Sequence, residues 1–130
     1  MTFIDTNFFI RFLENDHPTY SPITRKLFLH APESTENFCS SIIVLFEIYW
    51  LQKNFYEKPL PEIQRSLTDL FSMSFIVWEN EDILKQAVYS MHQFNFDLED
   101  AYNFHYAKSQ NTKDFATFDK KLVSIWNKSK

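Results

Sequence analysis

Met1-Thr2-Phe3-Ile4-Asp5-Thr6-Asn7-Phe8-Phe9 reads as a short apolar strand that stops at a carboxylate and turns at once into a helix. Phe8, Phe9, Phe12 and Leu13 then recur with helical spacing. A carboxylate at the end of a core element is costly unless something positive meets it. Three further acids stand in comparable places. Glu47 lies in the apolar run Ile42 to Leu51, Asp100 opens a later helix, and Asp119 follows Phe115-Ala116-Thr117-Phe118. Such placements in one small chain point to a shared cation.

Working outward, residues 2–5, 38–40, 75–77 and 115–118 read as short strands. Helices are predicted from Ser21, with Ser as N-cap and Pro22 at the first helical position, over 42–56, 59–71 and 81–94, from 97 or 98 to 109, and over 120–126. The helix at 42–56 is apolar almost all round near its start, which predicts a central position. Strand alternating with helix is the pattern of a parallel α/β sheet. Active sites in such sheets lie beyond the carboxyl ends of the strands, where Asp5 and Asp119 are expected.

The chain has 130 residues, long enough for one domain with a sizeable core, and no internal repeat or linker. Its 15 Phe predict a core built of aromatic rings. Glycine is absent, so left-handed positions must fall to Asn or Asp. Asn95 and Asn111, each after a helical pattern, are candidates for that C-terminal role. The one cysteine, Cys39, excludes an internal disulfide and fits a reducing compartment. No apolar run reaches the roughly 18–20 residues of a membrane span, and the N-terminus lacks a basic signal-peptide start. A cytoplasmic protein without membrane attachment is expected.

Net charge is −4, which argues against a polyanion partner by bulk attraction alone. The charge is uneven: residues 108–130 carry six lysines against Asp114 and Asp119, about +4, leaving about −8 elsewhere. A basic tail beside an acidic site suits a phosphate backbone, and an ordinary solvated terminus has the same composition.

Each acid also has a purely structural reading. Asp5 and Asp119 suit helix N-caps, Glu47 a wet helix face, and Asp97 with Asp100 a capping pair across one turn. His17, His30, His92 and His105 have no metal-ligand spacing with one another or with Cys39 and are expected to be surface or packed residues. Trp50, Trp78 and Trp126 could stack on bases, with burial expected for Trp50 and Trp78.

Taken together, Phe3-Ile4-Asp5-Thr6-Asn7, Leu45-Phe46-Glu47-Ile48-Tyr49-Trp50, Asp97-Leu98-Glu99-Asp100-Ala101 and Ala116-Thr117-Phe118-Asp119-Lys120-Lys121-Leu122 resemble the PIN domain in the version carried by VapC-type toxins. Order and spacing agree over nearly the whole chain. Asn15-Asp16-His17-Pro18 falls where such toxins often carry a polar-Pro break. Where the family often has Gly, before the third acid and before the last strand, Asn95 and Asn111 stand here. The resemblance implies a three-layer α/β/α sandwich with a small, mainly parallel sheet, in one domain over 1–130.

It also implies a metal-dependent endoribonuclease, the toxin of a type II toxin–antitoxin pair, using Mg²⁺ or Mn²⁺. Asp5, Asp100 and Asp119 would bind the metal, with Glu47 as ligand or water-orienting base. Oxygen donors suit these ions, which neutralise charge and activate water for in-line attack on a phosphodiester. Asn7 and the Thr117 hydroxyl would hold a carboxylate or water in place, with Asp97 an outer acid. Arg11, Lys120 and Lys121 are candidate RNA contacts. A small antitoxin and a toxin homodimer are the implied partners. Two other readings stand beside it: a housekeeping or inactive PIN protein in RNA processing, and a receiver- or phosphatase-like α/β domain using Asp5. The last needs an Asp-x-Asp, where Asn7 replaces the second Asp, or a Lys after a late strand.

Overall fold

The computed structural model describes residues 1–130. The chain forms two compact units, Met1–Glu81 and Asp82–Lys130. The first holds β1 (Thr2–Phe3), α1 (Thr6–Glu14), α2 (Tyr20–His30), a 3₁₀ turn (Ala31–Glu33), β2 (Phe38–Ser40), α3 (Ile42–Asn54), α4 (Leu60–Ser72) and β3 (Ile76–Trp78). The strands form one sheet in the order β1-β2-β3, parallel throughout, with Phe3 opposite Cys39 and Cys39 opposite Val77. Parallel neighbours need a crossover. Helices α1 and α2 supply one, α3 and α4 the other. All three carboxyl ends therefore lie at the same edge. There β1 leads to Asp5, β2 to the N-cap of α3, and β3 to Glu79.

Aromatic rings do build the core of this unit. Phe28 touches Phe12 edge-on at 4.5 Å, Phe8 edge-on at 5.7 Å and Phe9 at 5.9 Å. Phe9, fully buried, stacks on Trp78 at 5.2 Å. Such pairs add about 0.5–1.5 kcal/mol each beyond area burial. A buried polar tie joins α1, α3 and α4. Gln52, fully buried, donates from Nε2 to Glu14 Oε1 at 3.1 Å and Ser66 Oγ at 3.3 Å, and Lys58 Nζ pairs with Glu14 Oε2 at 2.9 Å.

The second unit holds α5 from Asp82 onward (the helix spans Glu81–Gln93), α6 (Leu98–Ser109) and α7 (Lys120–Lys128). Trp126 of α7 meets Phe104 of α6 edge-on at 5.7 Å, and Lys108 Nζ sits 4.1 Å above the Trp126 ring. His105 on α6 is half-buried and bonds the buried Ser90 Oγ of α5 at 2.8 Å. Burial lowers its pKa from the ordinary value.

Three expectations are corrected. Residues 115–118 form no strand. Phe115 instead packs on Trp126 at 5.3 Å, and Thr117 Oγ1 accepts from Asp119 N at 3.1 Å, so local side-chain bonding takes the place of a ladder. Asp119 thus follows a turn, not a strand. Ser21 is not the N-cap of α2. That helix starts at Tyr20, and Pro22 occupies its third position, where an N–H has no intrahelical partner anyway. Trp50 is 56% exposed, and Ile43 on the same face of α3 is 69% exposed, so the helix has a wet side despite its apolar sequence. Left-handed backbone falls largely to asparagine, at Asn15, Asn80, Asn95 and Asn111, with Glu57 the exception.

Candidate functional site

In the first unit the site begins where β1 runs out. Asp5 leaves the strand in extended geometry and N-caps α1, its Oδ1 accepting from Thr6 N at 2.7 Å. Thr6 is 5% exposed, and its hydroxyl donates to Glu47 Oε1 at 3.2 Å. A single residue therefore holds both acids, one through its backbone and one through its side chain. Glu47 stands on the exposed face of α3. That helix is fixed at its start by Ser41 Oγ, which accepts from Val44 N at 3.2 Å, and by Glu79 Oε1, which accepts from Ile42 N at 3.1 Å. Asp5 Oδ2 and Glu47 Oε2 take no hydrogen bond, and neither carboxylate is ion-paired.

In the second unit Asp97 occupies the N-cap position of α6 without a side-chain cap bond, and Asp100 follows in the first turn. Burial raises the Asp100 pKa, the negative charges of Asp119 and Asp97 raise it further, and Lys121 partly opposes them. Asp119 N-caps α7: its Oδ1 accepts from Lys121 N at 2.9 Å and Leu122 N at 3.0 Å, which leaves Oδ2 uncommitted. Thr117 holds the Asp119 backbone through the bond already described. Lys121 Nζ donates to Asn95 O at 2.5 Å and lies 5.6 Å from the Phe96 ring centroid, which ties this exposed cation to the turn before α6.

The donor chemistry fits a hard divalent ion. Asp5, Glu47 and Asp119 each commit one carboxylate oxygen to the fold and keep the other, and the crowded negative charge about Asp100 is what a cation relieves. Neither unit by itself gathers three His, Cys, Asp or Glu side chains in an arrangement that could hold a metal. Asp5, Glu47 and Asp119 are exposed and Asp100 is half-buried. Asn7 is exposed on α1 and makes no hydrogen bond to Asp5 or Glu47. Thr6 does that work, a residue that sequence reasoning passed over although it stands in the same Asp-Thr-Asn run. Arg11 pairs with Asp16 at 3.2 Å, and Lys120 is exposed.

The family model for the PIN domain matches residues 2–125, a span that takes in all four acids. The chain belongs to the PIN domain family. PIN domains are generally nucleases and typically use Mg²⁺ or Mn²⁺. The α/β class with a small parallel sheet is that of the family. No curated protein and no solved structure matches this PIN domain. None of its helices is long and apolar enough to cross a membrane.

Proposed function

We propose that this PIN domain is a Mg²⁺- or Mn²⁺-dependent endoribonuclease, the toxin of a type II toxin–antitoxin pair. Asp5, Glu47, Asp100 and Asp119 are the residues that would hold the ion. The supporting observation is that Asp5, Glu47 and Asp119, in a chain of this family, each anchor one oxygen in the fold and present the other. A bound ion would lower the pKa of water and offset charge on the phosphodiester. The protein's own part is to hold the carboxylates: Thr6 aligns Asp5 and Glu47, and the start of α7 aligns Asp119. Lys121 tempers the repulsion around Asp100. An all-oxygen set, with no His or Cys at ligand spacing in the sequence, disfavours zinc.

The test is single-turnover cleavage of a structured RNA by the purified chain, with and without EDTA. Cutting should require Mg²⁺ or Mn²⁺ and should fall by orders of magnitude in Asp5→Asn. Undiminished cutting in EDTA would refute the reading. The toxin role predicts growth arrest on induced expression, relieved by a short upstream frame encoding an antitoxin. Without such a frame, the housekeeping PIN nuclease is the better reading. The homodimer and the cytoplasmic location belong to the same proposal, and sedimentation and fractionation test them. Family membership displaces the receiver- and phosphatase-like reading.

A further inference from the structure

We propose that the cavity of about 270 Å³ between α1 and α2 binds one unpaired RNA base next to the cleavage site. This rests on the ribonuclease reading and deepens it by naming the part of the substrate that is read. The cavity is lined by Asn7 and Arg11 of α1, His17 of the connecting turn, and Tyr20 and Ile23 of α2, among others. Its aromatic wall is fixed before any ligand arrives. His17 Nδ1 accepts from Thr19 N at 3.2 Å and Tyr20 N at 2.9 Å, so the ring caps the start of α2. The Tyr20 ring lies nearly parallel to it, 4.3 Å between centroids and 10° between planes. His17 N donates to Ser21 Oγ at 3.1 Å, and that hydroxyl donates to Arg11 O at 2.7 Å, tying the turn to α1.

Tyr20 and Ile23 are nonetheless 56% and 54% exposed, so the wall is held rigid without being covered. A flat, rigid, exposed ring is what base stacking uses, at about 1–3 kcal/mol per base. The polar groups match the rest of a nucleotide. Arg11 gives one N–H to Asp16 Oδ1 at 3.2 Å, and a guanidinium has further donors for a phosphate. The exposed Asn7 amide offers a donor and an acceptor to a base edge. Asn7 and Arg11 also stand on the helix that Asp5 caps, about 3 and 9 Å along its axis from Asp5 at the helical rise. A base held here belongs to a nucleotide close to the attacked phosphate. Phe8, Tyr20 and Ile23 make most of the lining apolar, which suits the face of a base, while Asn7, Arg11 and His17 add an amide, a guanidinium and an imidazole that suit its edge and its phosphate.

The experiment uses the full chain and a short single-stranded RNA carrying 2-aminopurine, in EDTA so that cleavage does not intervene. Wild type should quench the fluorescence on binding. Tyr20→Leu should bind about 5- to 140-fold more weakly, the stacking energy converted at tenfold per 1.4 kcal/mol. Tyr20→Trp should bind and quench like wild type, and both variants should melt with wild type. RNA-end sequencing should show a relaxed base preference at one position beside the cut in Tyr20→Leu. Wild-type affinity and preference in Tyr20→Leu would overturn the proposal, as would binding without quenching, which would mean that the base is not stacked. Quenching that depends on Tyr20 in a chain that never cleaves RNA would sink the nuclease reading and leave the base pocket standing. Metal-dependent cleavage with Tyr20→Leu indistinguishable from wild type would do the reverse.

Discussion

Asp119 is the residue at which folding and chemistry can be separated by experiment. Its Oδ1 caps α7 through two backbone N–H groups, and its charge raises the Asp100 pKa. Asp119→Asn keeps an oxygen acceptor in the same place, and Asn is as good an N-cap as Asp. What it loses is the attraction of a carboxylate to the helix N-terminus, about 0.3–1 kcal/mol for an exposed site. Relief of the repulsion at Asp100 offsets part of that. The net change in stability should be below about 0.5 kcal/mol. Asp119→Ala loses the cap as well, typically about 1 kcal/mol, for a total near 1–2 kcal/mol and a melting point lower by several degrees. Both variants remove a carboxylate on which the proposed metal chemistry depends, so both should cut RNA at least about 100-fold more slowly. Thermal unfolding without added metal, paired with single-turnover cleavage, reads the two effects apart. Wild-type cleavage by Asp119→Asn would show that Asp119 is a helix cap and nothing more. Equal destabilisation by Asn and Ala would show that the capping geometry is not what holds α7.

Thr6→Val keeps the shape of a buried side chain but drops the bond to Glu47 Oε1. Mn²⁺ binding followed by calorimetry should weaken about 10- to 100-fold, with stability lower by only about 1 kcal/mol and Thr6→Ser restoring both; unchanged Mn²⁺ binding in Thr6→Val would remove Thr6 from the site. Lys58→Ala leaves Glu14, whose side chain is 7% exposed, without its cation. Because Lys58 itself is 20% exposed, the loss should fall between the surface and buried cases, about 2 kcal/mol by urea unfolding, and a change below about 0.5 kcal/mol would refute the tie. His105 has its folded pKa lowered by burial from an ordinary 6.5, so the unfolded chain takes up the proton first as pH falls. Its contribution should be complete above 6.5, decline as the pH drops below that value, and level off beneath the folded pKa. Urea midpoints from pH 7.5 to 5 should fall more steeply for wild type than for His105→Gln, and equal slopes would refute this.

Much of this was legible in the chain because local chemistry fixed it. Asp5 after Phe3-Ile4, the helix start at Ile42 and the asparagines replacing glycine at Asn95 and Asn111 are decided by backbone geometry within a few residues. Three misreadings arose where a distant partner or a competing local bond decided the outcome. Phe115-Ala116-Thr117-Phe118 has the composition of a strand, but Trp126 and the Thr117 hydroxyl claim it. Ser21 has the chemistry of a cap, but His17 already occupies the start of α2 and Ser21 is drawn to Arg11. Trp50 looks buried by composition, yet α3 turns it outward with Ile43. Thr6 was missed for a similar reason: its hydroxyl acts on Glu47, 41 residues away, a contact invisible to spacing.

The capping and metal-binding readings of the acids, posed as rivals by sequence, are not rivals in the structure. A carboxylate has two oxygens, and a helix N-terminus or a buried threonine needs only one of them. Asp5, Glu47 and Asp119 each satisfy the fold with one oxygen and point no protein donor at the other. The fold thereby leaves the second oxygen unneutralised, because a hydrogen bond orients a carboxylate and an ion pair would quench it. The one fixed cation near the acids of the second unit, Lys121, is held by Asn95 O and forms no ion pair with Asp100 or Asp119. It can temper repulsion without taking the place of a divalent ion. Replacing Asp5 or Asp119 by Asn, or Glu47 by Gln, therefore keeps the anchor and removes the charge. This is why, under the nuclease reading, these amide variants should remain folded and fail only in metal binding and cleavage.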